Sequence, residues 1–312
     1  MKKINFILII IALASCSHQG AMLSNQDFGQ EDSSLTRIAV LPILQSLPIY
    51  YAERTGMLGS QMCLKRYNAQ MDIDTAITNK HVDIAQTDII KAIQLCEKQN
   101  SVTSIWSFYE PMSLVALKGT RVSKVKQMKE KMIAISRLSI SDYWCDKMVD
   151  TSEVNHQDFY RPQVNDIKLR ADMLRTGLID AAILPEPYAQ WMVSEGHIIL
   201  KSTSQKDPQI GTWIICTDSI EDSKIKVLSE NFIRTYKQAV KEINEGLNQE
   251  TIKEILSQEY GLPSTLIDTL KLPIISEGRP HIKGEVDEAM KWLTERNHKL
   301  QKTNADNLIY QP

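Results

Sequence analysis

The stretch RIAVLPILQSLPIYYAERTGML, residues 37–58, decides the predicted fold. Its residues 38–41 form a short apolar run that predicts a buried β-strand. A loop follows at Pro42, and Pro48 stands near the first turn of an apolar segment that stops near Gly56. Because proline near the start and glycine at the end are typical of helices, the stretch predicts a strand–loop–helix unit.

The same alternation of short apolar runs and amphipathic segments continues to about residue 200. It is typical of α/β folds whose sheets are mostly parallel. Beyond that point apolar residues recur at helical spacing, which predicts a mainly helical C-terminal region. Further strands are predicted at residues 61–67, 82–85, 104–108, 113–117, 132–135, 181–184 and 198–200, and further helices at residues 74–79, 142–149 and 167–176.

Two α/β units of this kind predict two lobes. The chain is expected to cross between the units near residue 117, where a basic, polar stretch at residues 118–131 begins, and again around residues 203–212. The first lobe then comprises residues 37–117 and 205–312, and the second lobe comprises residues 118–204. Because the carboxyl ends of strands in open sheets border a crevice, a ligand is expected between the lobes.

The N-terminal residues predict export and lipid attachment. Lys2 and Lys3 precede an apolar run, residues 4–14, that has the length of a signal-peptide core and is too short to span a bilayer. The run leads into LASC, which resembles the lipobox of bacterial lipoproteins, with Cys16 as the lipidated residue. An ordinary secretory signal with a chance cysteine is the alternative. Residues 17–36 are predicted to form a flexible tether.

Composition argues against several classes of function. The chain has 312 residues, 43% of them hydrophobic, and a formal net charge of -2, so it can bury a sizeable core and has no basic surplus for nucleic acid. The six histidines are scattered, and the remaining cysteines lack the short paired spacing of zinc or redox sites. We therefore predict no metal and no cofactor, and assign no disulfide to Cys63, Cys96, Cys145 and Cys216.

Four phrases together resemble one protein family. They are YAERTGML at residues 51–58, VDIAQTD at residues 82–88, KMIAIS at residues 131–136, and the segment from GLIDAA to PEPY at residues 177–188. Their order and spacing are similar to those of type II periplasmic binding proteins of the aliphatic-sulfonate, nitrate and thiamine-precursor group, the NMT1/THI5-like proteins. The third phrase departs from the family pattern, because Glu130 stands where the family has glycine.

The resemblance implies a two-lobed solute-binding lipoprotein of an ABC importer. Such a protein would act as a monomer on the periplasmic side of the cell envelope, capture a small molecule and present it to permease and ATPase subunits. Sulfonate-, nitrate- and aminopyrimidine-like solutes remain alternatives. A surface lipoprotein that binds another protein is a second reading, and an enzyme on the same fold is a third. The sequence has no G-x-S-x-G, H-E-x-x-H or phosphate-cradling glycine motif that would favour the enzyme.

Polar residues at predicted strand ends are the candidates for binding the solute, because strand-end loops border the cleft. Asp88 is equally suited to capping the helix that residues 86–88 are predicted to open, and capping is also an alternative for Ser139, Ser141 and Asp142. Arg137 would pair with an anion or lie in solvent, and Glu186 would accept from an amine or lie in a surface turn. The candidate ligand-binding residues are Gln45, Ser46, Gln86, Thr87, Asp88, Ser136, Arg137, Ser139, Ser141, Asp142, Glu186, Tyr188 and Trp213.

Overall fold

The computed structural model describes residues 35–98, 101–150, 152, 154–217, 222–301, 303 and 305–310. Cys16, the predicted signal segment and nearly all of the predicted tether lie outside these residues. The strands are β1 (Thr36–Val40), β2 (Met62–Arg66), β3 (Ile84–Asp88), β4 (Val102–Phe108), β5 (Met112–Ala116), β6 (Ile133–Ala134), β7 (Ala181–Pro185), β8 (Ile198–Ser202) and β9 (Gly211–Cys216). The helices are α1 (Leu47–Arg54), α2 (Gln70–Thr78), α3 (Ile89–Glu97), α4 (Ile140–Asp150), α5 (Ile167–Arg175), α6 (Tyr188–Ser194), α7 (Asp222–Asn244), α8 (Gln249–Gln258), α9 (Ser264–Ile267), α10 (Lys283–Glu295) and α11 (Ala305–Leu308).

The first sheet has the strand order β2-β1-β3-β9-β4. β1 pairs in parallel with β2 and β3, whereas β9 runs antiparallel between β3 and β4. Pro48 lies in the first turn of α1, and Gly56 adopts a φ of 78° just beyond its end, a conformation that favours glycine. The strand–loop–helix unit predicted from residues 37–58 is therefore confirmed.

The second sheet has the order β6-β7-β5-β8. β5 pairs antiparallel with both β7 and β8, so residues 112–116 belong to this sheet and not to the first. The expected chain crossing near residue 117 therefore lies earlier, at residues 109–111, which join β4 to β5. The apolar pattern of β5 predicted a strand correctly, but such a pattern carries no information about which sheet supplies its partners.

Both sheets are mixed rather than mostly parallel, because three of their pairings are parallel and four are antiparallel. The antiparallel pairings involve β5 and β9, which directly follow the two chain crossings at residues 109–111 and 203–210. Strand β9 was not predicted. Residues 86–88 also differ from expectation, since they complete β3 and only Asp88 serves the following helix as its N-cap.

The C-terminal region is helical, as predicted, and packs mainly against the helices of the first sheet. Helices α7 and α8 contact α1, and α10 contacts α3. Phe232 and Tyr236 of α7 place their rings 4.9 Å and 6.0 Å from the ring of Trp213 in β9. Trp213 has 0% exposure, so this aromatic cluster forms part of the buried core beneath the sheet.

Three further observations concern the part of the chain that the structure describes. None of its helices combines the length and apolar character needed to cross a bilayer. It contains no group of three or more His, Cys, Asp or Glu side chains arranged to hold a metal ion. Its four cysteines form no disulfide with one another.

Candidate solute-binding site

A small cavity lies where strand ends from both sheets meet the chain crossings. Its volume is about 50 Å³, so in this conformation it accommodates only a compact group of atoms. The polar lining residues are Gln70, Gln86, Thr87, Asp88, Glu110, Ser136, Ser139, Ser141, Asn165 and Arg170, and the apolar ones are Leu41, Ile43, Phe108, Met112, Ile140, Ile167, Pro185 and Gly211.

Asp88 links the two sheets at the cavity. Its Oδ1 accepts the backbone N–H of Lys91 at 2.8 Å, which caps α3, and its Oδ2 accepts the backbone N–H of Ile140 at 2.9 Å, at the start of α4. Burial raises the pKa of Asp88 to about 6, although hydrogen bonds from both amides oppose the shift. The predicted helix cap is confirmed, and the same carboxylate also reaches the helix of the opposite sheet.

The loop before α4 forms a hydroxyl-rich wall of the cavity. Ser139 Oγ donates to the Ser136 carbonyl at 2.7 Å and lies 3.0 Å from Ser141 Oγ. Ser141 Oγ accepts the Ser136 backbone N–H at 2.9 Å, and Ser136 Oγ donates to Asn165 Oδ1 at 3.1 Å. Because these bonds run within the cluster, they hold the hydroxyls in place before any ligand binds.

Glu110 brings a buried carboxyl group to the crossing between β4 and β5. The residue is 4% exposed, and neither of its side-chain oxygens has a hydrogen-bond partner among the residues that the structure describes. Burial, and next the neighbouring Glu186 carboxyl, raise the pKa of Glu110 well above its ordinary value. Burial likewise raises the pKa of Glu186 to about 7, although its Oε2 accepts the Gln190 N–H at 3.2 Å. This end of the cavity therefore has unused capacity to accept hydrogen bonds.

Arg170 brings a buried guanidinium to the second-sheet side. It lies on α5 and is 3% exposed. Its Nη1 donates to the Val164 carbonyl at 3.2 Å, while its Nε has no hydrogen-bond partner in the described part of the chain. Burial lowers the pKa of Arg170 to about 10, with Asp166 opposing the shift, so the guanidinium stays charged at neutral pH.

Six of the predicted site residues line the cavity: Gln86, Thr87, Asp88, Ser136, Ser139 and Ser141. Two others lie close behind it. Ser46 Oγ donates to Gln86 Oε1 at 2.6 Å. Gln45 donates to the Tyr109 carbonyl at 2.7 Å and accepts from the Tyr236 hydroxyl at 2.7 Å. Both residues therefore support the wall and the crossing instead of lining the cavity.

The remaining predicted residues lie elsewhere. Arg137 is exposed, and Tyr188 and Trp213 are fully buried core residues. Asp142 forms a largely buried ion pair with Arg161 at 2.8 Å. Glu186 is buried beside Glu110 but does not itself line the cavity.

Sequence reasoning missed four polar lining residues: Gln70, Glu110, Asn165 and Arg170. Gln70 Nε2 donates to Thr87 Oγ1 at 2.9 Å. Glu110 lies between two predicted strands, at residues 104–108 and 113–117, so the strand-end rule would have selected it had the crossing been recognised there. Arg170 lies on a helix with ordinary amphipathic spacing, and no local signal distinguishes it.

The family model described as NMT1/THI5 like matches residues 45–245. The chain belongs to the NMT1/THI5-like family. Sequence comparison with curated proteins gave no match. The predicted family is therefore confirmed by the family model.

Solved structures agree with the fold of this NMT1/THI5-like protein. The periplasmic aliphatic sulphonate binding protein SsuA from Escherichia coli superposes with a TM-score of 0.73 at 14% identity, covering 89% of this chain and 98% of its own. The alkanesulfonate-binding protein SsuA from Xanthomonas axonopodis pv. citri, bound to MOPS, gives 0.76 at 12% identity, with 89% and 99% coverage. The periplasmic nitrate-binding protein NrtA from Synechocystis PCC 6803 gives 0.71 at 11% identity, with 87% and 84% coverage. The fold is that of the periplasmic binding proteins.

Proposed function

We propose that this protein is the solute-binding component of an ABC importer and that it encloses one small solute in the cavity between its two sheets. The observation that carries the proposal is a cavity whose walls bring polar side chains from both sheets together and are bridged by Asp88. Strand ends that converge on a crevice are the usual ligand site in folds of this kind. The sulfonate- and nitrate-binding proteins that share the fold support the same role.

In this proposal each sheet, with its helices, forms one lobe. The crossings at residues 109–111 and 203–210 serve as the hinge, and the lobes close over the solute. The solute contacts are Gln86, Thr87 and the serine hydroxyls of residues 136–141. We further propose that the protein acts as a monomer, binds its solute without chemical change and delivers it to permease and ATPase subunits.

We also propose that the protein lies outside the cytoplasm and is anchored by lipid. Within the signal-like segment, residues 1–15 would be removed, Cys16 would become the N-terminal residue and carry the lipid on its thiol, and residues 17–36 would form the tether. Metabolic labelling with a radioactive fatty acid should mark the wild type and not Cys16→Ser. Equal labelling of both proteins would contradict the anchor.

The binding role is tested with the full chain purified in a mild detergent. Thermal unfolding is followed in the presence of sulfonates, nitrate, aminopyrimidines and small carboxylates. A solute that binds the folded state raises the midpoint in proportion to the logarithm of its concentration over Kd. Small-angle X-ray scattering then measures whether the solute makes the particle more compact.

Two matched variants locate the site. Thr87→Val removes a hydroxyl from the cavity wall, whereas Thr78→Val removes an exposed hydroxyl from α2. In Thr87→Val the loss of one hydrogen bond, about 1 kcal/mol, should raise the Kd of the solute about fivefold. Thr78→Val should bind the solute with the Kd of the wild type. A protein that bound another protein but no small molecule would contradict the importer role, and turnover of a bound solute would support the enzyme alternative.

A further inference from the structure

Two buried ionisable side chains at the cavity, Glu110 and Arg170, each have polar atoms without a hydrogen-bond partner among the described residues. Glu110 and Arg170 are 4% and 3% exposed, so water does not solvate them well. Within the described ranges of the chain, both Glu110 side-chain oxygens and the Arg170 Nε have no hydrogen-bond partner, and both residues line the cavity. Buried groups of this kind are rarely left unsatisfied in folded proteins, so each side chain requires an explanation.

The two groups do not neutralise each other. No hydrogen bond or ion pair joins them among the described residues. The charged neighbour that acts on Glu110 is Glu186, and the one that acts on Arg170 is Asp166. Glu110 therefore adds to an acidic region, whereas Arg170 forms a separate basic one.

The two regions lie on different structural parts. Glu110 belongs to the crossing at residues 109–111, close to Glu186, whose backbone N–H donates to the Pro111 carbonyl at 3.2 Å. Arg170 binds the carbonyl of Val164 on the second-sheet side. Asn165, which follows Val164 in the chain, accepts a hydrogen bond from the Ser136 hydroxyl. The guanidinium therefore lies on the same side of the cavity as the serine hydroxyls. The cavity thus offers a carboxyl group at the hinge and a cation with hydroxyl donors at the serine loop.

We propose that the solute of this protein is dipolar, with an amine cation that binds at Glu110 and an acidic oxygen group that binds at Arg170 and the serine hydroxyls. This inference rests on the proposed solute-binding function and narrows its substrate class. A purely anionic solute would leave the carboxyl oxygens of Glu110 without a donor. A purely cationic solute would leave Arg170 without an acceptor. A compact dipolar molecule satisfies both in one cavity of about 50 Å³.

Isothermal titration calorimetry with the full chain tests the proposal. The dipolar probes are glycine, β-alanine, γ-aminobutyrate and 2-aminoethanesulfonate. Their charge-deleted counterparts are propionate and ethanesulfonate, which lack the amine, and propylamine, which lacks the acid. We expect at least one dipolar probe to bind about tenfold more tightly than its charge-deleted counterparts, because each lost group removes a charge-assisted hydrogen bond.

Side-chain variants assign the two ends. Glu110→Gln and Arg170→Gln should each weaken binding of the dipolar probe by about 10- to 100-fold. Glu254→Gln and Arg234→Gln, at exposed positions outside the cavity lining, are the matched controls and should bind like the wild type. Glu110→Gln should not lower the thermal midpoint of the solute-free protein, because it removes a buried carboxyl group that has no partner.

Proton release gives a readout that a structural role would not affect. Around Glu110 the titratable groups are Glu186, Tyr109, Tyr236 and Tyr260. Burial raises the pKa of each tyrosine above its ordinary value, so all three remain neutral near pH 7. A cation bound beside Glu110 opposes the rise in pKa that burial causes, so the carboxyl group should release protons as the dipolar probe binds. Titrations in two buffers of different ionisation enthalpy should show this release, and it should fall in Glu110→Gln.

The outcomes separate this inference from the function on which it rests. If the anionic probes bind the wild type as tightly as the dipolar ones, and Glu110→Gln binds them unchanged, the dipolar proposal is wrong while solute binding stands. If the protein binds none of the probes and no solute of the wider panel, the proposed function fails as well.

Discussion

Replacing Gln94 by methionine is expected to weaken solute binding although the residue lies outside the cavity. Gln94 Nε2 donates to the Leu138 carbonyl at 2.8 Å and to the Ile90 carbonyl at 3.0 Å. Ile90 belongs to the same helix, α3, whereas Leu138 lies in the loop before α4, on the opposite sheet. The first bond therefore forms only when the proposed lobes are closed, and it parallels the link from Asp88 to Ile140.

The magnitude follows from a single neutral hydrogen bond. Methionine has nearly the same length as glutamine and cannot donate, so the closed state loses about 1 kcal/mol while the open state is little affected. Solute binding is coupled to closure, so Kd should rise about fivefold. The bond from Gln94 to the Ile90 carbonyl within α3 is lost in the open and closed forms alike, so it does not contribute to the change in Kd.

Calorimetry and small-angle scattering measure the effect. Titration gives Kd, and scattering should show a larger mean radius of gyration for Gln94→Met at partial saturation. Gln238→Met is the matched control, because Gln238 is exposed and its hydrogen bond to Glu242 stays within α7. A Gln94→Met protein with wild-type Kd and wild-type compaction would refute the role of this contact in closure.

Three further variants probe packing and charge. Gly211→Ala would place a Cβ within 3.0 Å of three ring carbons of the buried Phe108, and urea unfolding should show a loss of about 1–3 kcal/mol. Asp146→Ala leaves two guanidiniums and an indole N–H without their buried acceptor, and should cost about 3–5 kcal/mol by the same assay. Burial opposes ionisation of Glu285, but the ion pair with Arg279 and further donors lower its pKa to about 2. The lowered pKa of Glu285 contributes at most about 3 kcal/mol to the free energy of unfolding, and this contribution is present above pH 4.5 and lost towards pH 2. In Glu285→Gln the free energy of unfolding should therefore fall less steeply as the pH is lowered over this range.

Each variant has a control or a contrary outcome. Gly284→Ala adds a Cβ that meets no atom within 4 Å, and it should not destabilise the protein. Asp268→Ala removes a carboxylate that is 69% exposed, and its cost should stay below about 1 kcal/mol. An Asp146→Ala protein as stable as this control would contradict the buried network. Identical acid limbs for wild type and Glu285→Gln would contradict the assignment of the acid-sensitive step.

Some of the site was accessible to local reasoning. Asp88 was predicted from its position after a buried strand and before an apolar helix, and both features are local. The serines of residues 136–141 were predicted in the same way, because they are polar residues that come directly after the strand β6. Polar residues where strands end are close to one another in space only because open sheets direct their strand ends to a common crevice.

Other site residues depend on contacts between distant segments. Arg137 and Trp213 satisfy the same local rules as true lining residues, yet one is exposed and the other lies in the core. Glu110 lines the cavity because the chain passes from the first sheet to the second after β4, and β5 then pairs with β7 and β8. Whether a strand-end residue faces a cavity thus depends on the path of the chain between the sheets.

The sequence by itself determined the family and the alternation of strands and helices, and it gave the helix cap as one of two roles for Asp88, because periodicity, proline and glycine positions, and capping are properties of short segments. Only the tertiary structure decided the partners of β5 and β9, and with them the burial of Glu110 and Arg170. Burial and electrostatic isolation arise from segments far apart in the chain, and no local pattern encodes them. The charges that define the proposed solute are therefore visible only in the folded protein.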